Sequence, residues 1–133
     1  MSEKTLVLIK PDAVKKNVIG QIINEYERNG LVVSEMKMMT ASEETAKTHY
    51  AEHEEKPFFG ELVDFITSSP LVALIIEGEN AIARVRAING ATNPAEAADN
   101  TIRALYATDI SENAVHASDS VESAEKEIQT WFG

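Results

Sequence analysis

Apolar positions along this chain fall in short runs whose spacing switches between two and 3.6 residues, and each switch marks an element. Thr5 to Ile9 (TLVLI) is an apolar, β-rich run halted by Lys10-Pro11-Asp12, which predicts a buried strand ending in a turn. Ile19, Ile22, Ile23 and Tyr26 repeat at i, i+3, i+4 and i+7, the period of a helix, which Gly30 ends. LVVSEMKMM, residues 31–39, is the next strand. Thr40 with Glu43 three residues on predicts a capping box that opens a helix running to about Tyr50. After Pro57, a stripe of Phe59, Leu62, Val63 and Ile66 predicts a shorter helix, broken at Ser69-Pro70. LVALIIEG, residues 71–78, is the plainest strand in the chain. Asn80 is placed to cap a helix reaching Asn89, with Gly90 as its C′ residue. Residues 91–99 are polar and turn-rich, and 115–117 are a short strand. Val121, Ala124, Ile128 and Trp131 give a final helix its apolar stripe.

That order of strands and helices, with no repeat or linker to divide it, predicts one domain over residues 1–133, an α/β or α+β sandwich with helices against one sheet. A chain of this length buries roughly two-thirds of its unfolded surface, so a core forms without staples. There is no cysteine, which excludes disulfides and thiolate metal sites and suits a reducing compartment. The start MSEKTLVLIK lacks the features of a secretory signal, and no apolar run approaches the roughly 20 residues that span a bilayer. A soluble, cytoplasmic protein with no membrane partner is expected. Acidic residues outnumber basic ones 22 to 12, a formal charge of −10. This argues against nucleic acid as a partner, because phosphates are held mainly by Lys and Arg. A small phosphorylated ligand still fits wherever the few cations converge.

Neither G-x-x-x-x-G-K-[ST] nor G-x-G-x-x-G is present, so any phosphate must be gripped by side chains. Lys10 stands at the end of a core strand. Arg86 and Arg103 flank the turn-rich loop and are suited to close a guanidinium fork around phosphates, while Arg84 reads as a solvated helix residue. His116, set among small residues in NAVHASDSVESAEKEI (113–128), offers a ring nitrogen as nucleophile at neutral pH. Its other nitrogen needs an acceptor, and Glu127, flanking the stripe of the last helix, is the candidate. Ser118-Asp119 stands where the backbone or the helix start can use it. His49 and His53 lie four apart, a spacing that can hold zinc, but Glu54, Glu55 and Lys56 beside them favour a solvated face. Phe59 belongs to the core stripe, which leaves Phe58 for a ligand. Met36, Met38 and Met39 read as packing.

With NAVHASDSVESAEKEI on the page, the chain resembles the nucleoside diphosphate kinase family, whose signature is Asn-x-x-His-Gly-Ser-Asp-Ser. LIKPDAV, HYAEHEEKPFF, GATNPAEA and TIR resemble further family motifs in the same order, so the likeness covers nearly the whole chain. The resemblance implies a ferredoxin-like α+β sandwich, an antiparallel sheet with helices packed on it. It implies ping-pong transfer of the γ-phosphate of ATP, or another nucleoside triphosphate, to His116 and from there to a nucleoside diphosphate. It further implies Phe58 stacked on the base, Lys10 and Thr92 at ribose and phosphates, and Arg86 and Arg103 neutralising phosphate charge. Asn113 would assist the sugar or phosphate, Tyr50 would support His116, and His49 would be a neighbour of the site and not a ligand. Mg2+ would arrive on the nucleotide, with no direct protein ligand. A homo-oligomer is implied, built from dimers paired through a sheet edge; because Gly133 follows the last helix closely, dimer and tetramer stand level with hexamer. Ala117 replaces the family glycine. If that position requires positive φ, alanine is strained by about 1–2 kcal/mol, and a non-catalytic nucleotide-binding module of the same fold becomes the alternative.

Overall fold

Consecutive apolar residues in a strand are all buried only when both faces of the sheet are covered, and the runs TLVLI and LVALII demand that. The computed structural model describes residues 2–133. Its strands are β1 (Ser2–Ile9), β2 (Val32–Met39), β3 (Leu71–Glu79) and β4 (Val115–Ala117). Its helices are α1 (Pro11–Lys15), α2 (Ile19–Arg28), α3 (Glu43–His49), α4 (Phe59–Ile66), α5 (Ala81–Asn89), α6 (Ile102–Tyr106) and α7 (Val121–Phe132), with 3-10 turns at Ala51–His53 and Pro94–Glu96. The strands lie in the order β2-β3-β1-β4, every neighbour antiparallel. This is the expected ferredoxin-like α+β sandwich.

Alternation sorts the side chains into two cores. Val7, Ile9, Val72, Leu74 and Ile76 face Ala13 of α1, Ile22 and Tyr26 of α2, Val85 of α5 and Ile102 of α6. Leu6, Leu8, Leu71 and Ala73 face Ala46 of α3, Val63 and Ile66 of α4 and Trp131 of α7. Trimming one such side chain to alanine costs about 2–5 kcal/mol. Among the described residues no helix is long and apolar enough to cross a membrane.

The structure departs from the sequence reading at several local points. The cap of α3 is Ser42, not Thr40: its Oγ accepts from Thr45 N at 3.1 Å. Asn80 sits at the start of α5 with φ of 54° and no capping bond from its side chain; the Glu3 carboxylate on β1 instead accepts from Ile82 N at 2.9 Å. Helix α6, not anticipated, is opened by Thr101, whose Oγ1 accepts from Ala104 N. Arg84 is not a solvated tail, because it donates to Glu79 O and Asn29 O and ties α5 to the end of α2. Val121 is 55% exposed and leaves the stripe of α7 to Ala124, Ile128 and Trp131. Met36 and Met38 are not packing residues here: they are 60% and 57% exposed on the outer strand β2, while Met39 packs against the second core.

Candidate active site

Strand β4 is three residues long, and its register on β1 sets Leu8 opposite His116. Cross-strand partners share a face, so His116 points with Leu8 toward α3 and α7. The chain enters β4 through a tight turn in which Ala114 has φ of 71°. A non-glycine residue there costs about 1–3 kcal/mol and persists only when its surroundings over-determine it. They do: Asp12 Oδ2 accepts from Ala114 N at 3.0 Å, and Ala114 O accepts from Lys10 N at 2.9 Å. Ala117 pairs with Val7 in the ladder and is not a positive-φ residue, so the anticipated strain is absent there.

Glu127 Oε1 lies 2.8 Å from His116 Nε2 and accepts from Ser118 Oγ at the same distance. The buried Ser118 hydroxyl in turn accepts from Leu6 N at 3.3 Å, which anchors the carboxylate to the sheet. An ionised carboxylate only accepts, so the proton belongs on Nε2 and the free lone pair on Nδ1. The ring resting on His116 is that of His49, edge to face with centroids 4.6 Å apart. His49 Nδ1 accepts from Trp131 Nε1 at 3.1 Å. Burial, reinforced by His116, Lys10 and His53, holds His49 well below the usual imidazole pKa, so it is neutral. Tyr50, expected to support His116, packs its ring against His49 with centroids 4.8 Å apart and so reaches His116 through that ring. Burial and then the Glu127 charge push its hydroxyl up to about 12. His49 is thus part of the site's wall, a neighbour of His116 as the resemblance implied, and not of the solvated face that Glu54, Glu55 and Lys56 suggested. Donor atoms of His49, His116 and Glu127 lie within 4.8 Å of one another. A metal on His49 Nε2 would need a proton on Nδ1, facing the Trp131 N–H.

Lys10 Nζ donates to Asn113 Oδ1 at 2.8 Å, and Asn113 Nδ2 donates to Thr92 O at 3.3 Å. Burial first, and then the Arg103 charge, lowers Lys10 to about 8, with Asp12 opposing. Lys10, Tyr50, Phe58, Thr92, Asn113 and His116 line one cleft of about 710 Å3, a volume suited to a small ligand. Phe58 stands at 43% exposure, with Lys56 Nζ 5.9 Å from its ring centre; Phe59 packs on the second core, as anticipated. Arg86, Arg103 and Thr92 line a hollow of about 430 Å3 that also touches Ala117. Thr92 joins the two spaces. Arg103 donates to Gly90 O and Val115 O, each at 2.8 Å, so it also braces the back of β4, while Arg86 is exposed. Sequence reasoning did not single out Asp12 or Trp131. The run Lys-Pro-Asp after a strand, and the i, i+4 spacing of Glu127 and Trp131, were the available signals.

Comparison with known proteins gives consistent matches. The family model described as nucleoside diphosphate kinase matches residues 3–133. The nucleoside diphosphate kinase of Corynebacterium jeikeium is 58% identical over 133 residues, covering 99% of this chain and 98% of that protein. That of Clostridium perfringens is 57% identical over 130 residues, covering 98% and 91%. An orthorhombic crystal structure of the Aquifex aeolicus nucleoside diphosphate kinase superimposes with a TM-score of 0.97 at 46% identity, covering 100% of this chain and 96% of that one.

Proposed function

The chain belongs to the nucleoside diphosphate kinase family, and from that premise we propose that this single-domain phosphotransferase works by a two-step relay through His116. In the first step Nδ1 attacks the γ-phosphorus of ATP or another nucleoside triphosphate. A nitrogen–phosphorus bond forms, the bond to the bridging oxygen breaks, and the nucleoside diphosphate departs. In the second step a different nucleoside diphosphate takes the group back by the reverse displacement. The observation that carries this reading is the 2.8 Å pair between Nε2 and Glu127, which leaves Nδ1 as the nucleophilic nitrogen.

Phosphoryl transfer asks a protein mainly for positioning and charge stabilisation, and the residues around His116 are suited to both. Glu127 offsets the positive charge that grows on the imidazole as Nδ1 bonds to phosphorus. Lys10 meets the phosphates in the cleft, Asn113 and Thr92 hold the sugar–phosphate portion, and Arg86 and Arg103 take the phosphate charge nearest the adjoining hollow. Phe58 offers one face of a ring to the base, and stacking tolerates every base because each has a π face. Mg2+ fits as a passenger on the nucleotide: it prefers oxygen ligands, and the convergent donors of His49, His116 and Glu127 are two imidazoles and a carboxylate already engaged. Bound that way, it supplies neutralisation of phosphate charge. The non-catalytic alternative rested on strain at Ala117, and no observation now favours it.

We place the enzyme in the cytoplasm, as a homo-oligomer built from dimers paired through β2, whose exposed Val32, Met36 and Met38 form an apolar edge. The relay is tested by exposing the protein to ATP and Mg2+ without acceptor and measuring its intact mass. One added phosphoryl group, labile to acid and stable to base, is expected, and His116→Ala removes it while the fold persists. Full turnover in that variant overturns the assignment.

A further inference from the structure

Helix α7 presents Glu127 and Trp131 four residues apart, hence on one face and one turn from each other. Each grips a different histidine: Glu127 holds His116 of β4, and Trp131 holds His49 of α3. The two rings then meet edge to face. We propose that His49 and Trp131 are a positioning pair for the nucleophile, in which the indole N–H holds His49 as a neutral imidazole protonated on Nε2, and that ring fixes the plane in which His116 presents Nδ1. The proposal rests on the His116 relay above and goes beyond it, since neither residue needs to touch the nucleotide.

Three observations carry it. Trp131 is 2% exposed, and a buried indole N–H that lost its acceptor would carry a desolvation cost. Its acceptor here, Nδ1 of His49, has a lone pair only if the proton is on Nε2. Secondly, His49 is not sealed from water. A hollow of about 160 Å3, lined by Glu52, Lys126 and Thr130, reaches His49 and Glu127, and none of Lys10, Arg86, Arg103 or Thr92 lines it. A proton can therefore arrive, and the indole bond opposes its landing on Nδ1. Thirdly, the groups facing His49 make a cation there costly to the site. Burial, His116 on β4, Lys10 at the end of β1 and His53 in the turn after α3 oppose it, Tyr50 beside it carries no charge, and only Glu127 on α7 attracts it. A charged His49 would compete with His116 for the Glu127 carboxylate and loosen the clamp on Nε2.

The test uses the full-length enzyme. Trp131→Phe keeps a ring and removes the donor. Its kcat should fall about three- to tenfold with KM for the nucleoside diphosphate unchanged. The acid limb of its kcat/KM profile should move up by about half to one pH unit, because His49 can now take a proton. In the double variant His49→Phe with Trp131→Phe, that limb should return to its wild-type position while kcat stays low. A merely structural role would lower stability without moving the limb. Long-range proton–nitrogen correlation spectra of the wild-type enzyme should show His49 neutral with its proton on Nε2 through the pH range in which a free imidazole takes up its second proton. Three results would each overturn the proposal: a Trp131→Phe profile identical to wild type, a shift that persists in the double variant, or a wild-type spectrum with the proton on Nδ1. If Trp131→Phe does not fold, the wild-type spectrum decides alone. Failure of His116 to take phosphate would sink the relay and leave the His49 tautomer measurement standing.

Discussion

The two outer strands close the same sheet and are finished in opposite ways. Strand β4 has three residues, all buried or half-buried, and its surroundings leave it little freedom: β1 pairs with it, Asp12 and Lys10 pin the turn before it, and Arg103 binds its Val115 carbonyl. Strand β2 has eight residues, six of them exposed, with an irregular register at Val33/Glu35 and apolar side chains facing outward. A long, apolar outer strand invites pairing with another chain. The proposed chemistry falls at the edge where the fold dictates geometry, and the proposed assembly at the edge where the fold leaves surface uncovered.

The sharpest way to break that contrast is at β4. Glu127→Gln keeps the shape and removes the charge facing His116, and kcat should fall about 10- to 100-fold with little change in KM. Steady-state kinetics with two different diphosphates check this, and unchanged kcat would sever the carboxylate from the chemistry. At β2, changing Met36 and Met38 together to Glu places like charges where copies are proposed to meet. The variant should run as a smaller species in light scattering, with the proposed labelling of His116 by ATP retained. An unchanged mass would show that β2 is not the contact.

A smaller loss is expected from Asp12→Asn, which weakens the bond holding Ala114 in its left-handed turn. Denaturant unfolding should register about 1–3 kcal/mol of destabilisation. Lys10 gives a pH signature of two opposite signs. Its folded pKa of about 8 lies below the ordinary value, so between the two the unfolded chain binds the extra proton. The cost of charging Lys10 is present in full below about 8. Stability should therefore rise with pH above that point, while nucleotide affinity falls as the cation is lost; Lys10→Met should flatten both curves. The smallest effect belongs to Ala117→Gly. With no positive φ to relieve, restoring the family glycine should change stability by less than about 1 kcal/mol.

The strands and most helices were legible because they are written in local spacing, and both cores follow from runs that alternate across a covered sheet. His116, Glu127, Lys10 and Phe58 could be named as candidates for a related reason: their types and placement stand out against the patterned background. What stayed hidden depends on partners distant in sequence. The cap of α5 comes from Glu3, 79 residues away, and the carbonyl of Asn29 lies 55 residues from Arg84. The exposure of Met36 and Met38 follows from the place of β2 in the strand order, which no window of residues contains. Helix α6 has five residues, too few for a periodic stripe to register. Ala114 carries a backbone angle that its residue type gives no reason to expect, and the cause is a carboxylate 102 positions earlier.

Trp131 is the only tryptophan in the chain, and it touches the ring that touches His116. Indole light therefore comes from a single spot, one imidazole removed from the His116 ring. On the proposed relay, adding a phosphoryl group to His116 changes the electric field at that spot, so the emission of the unlabelled enzyme should follow each half of the proposed cycle.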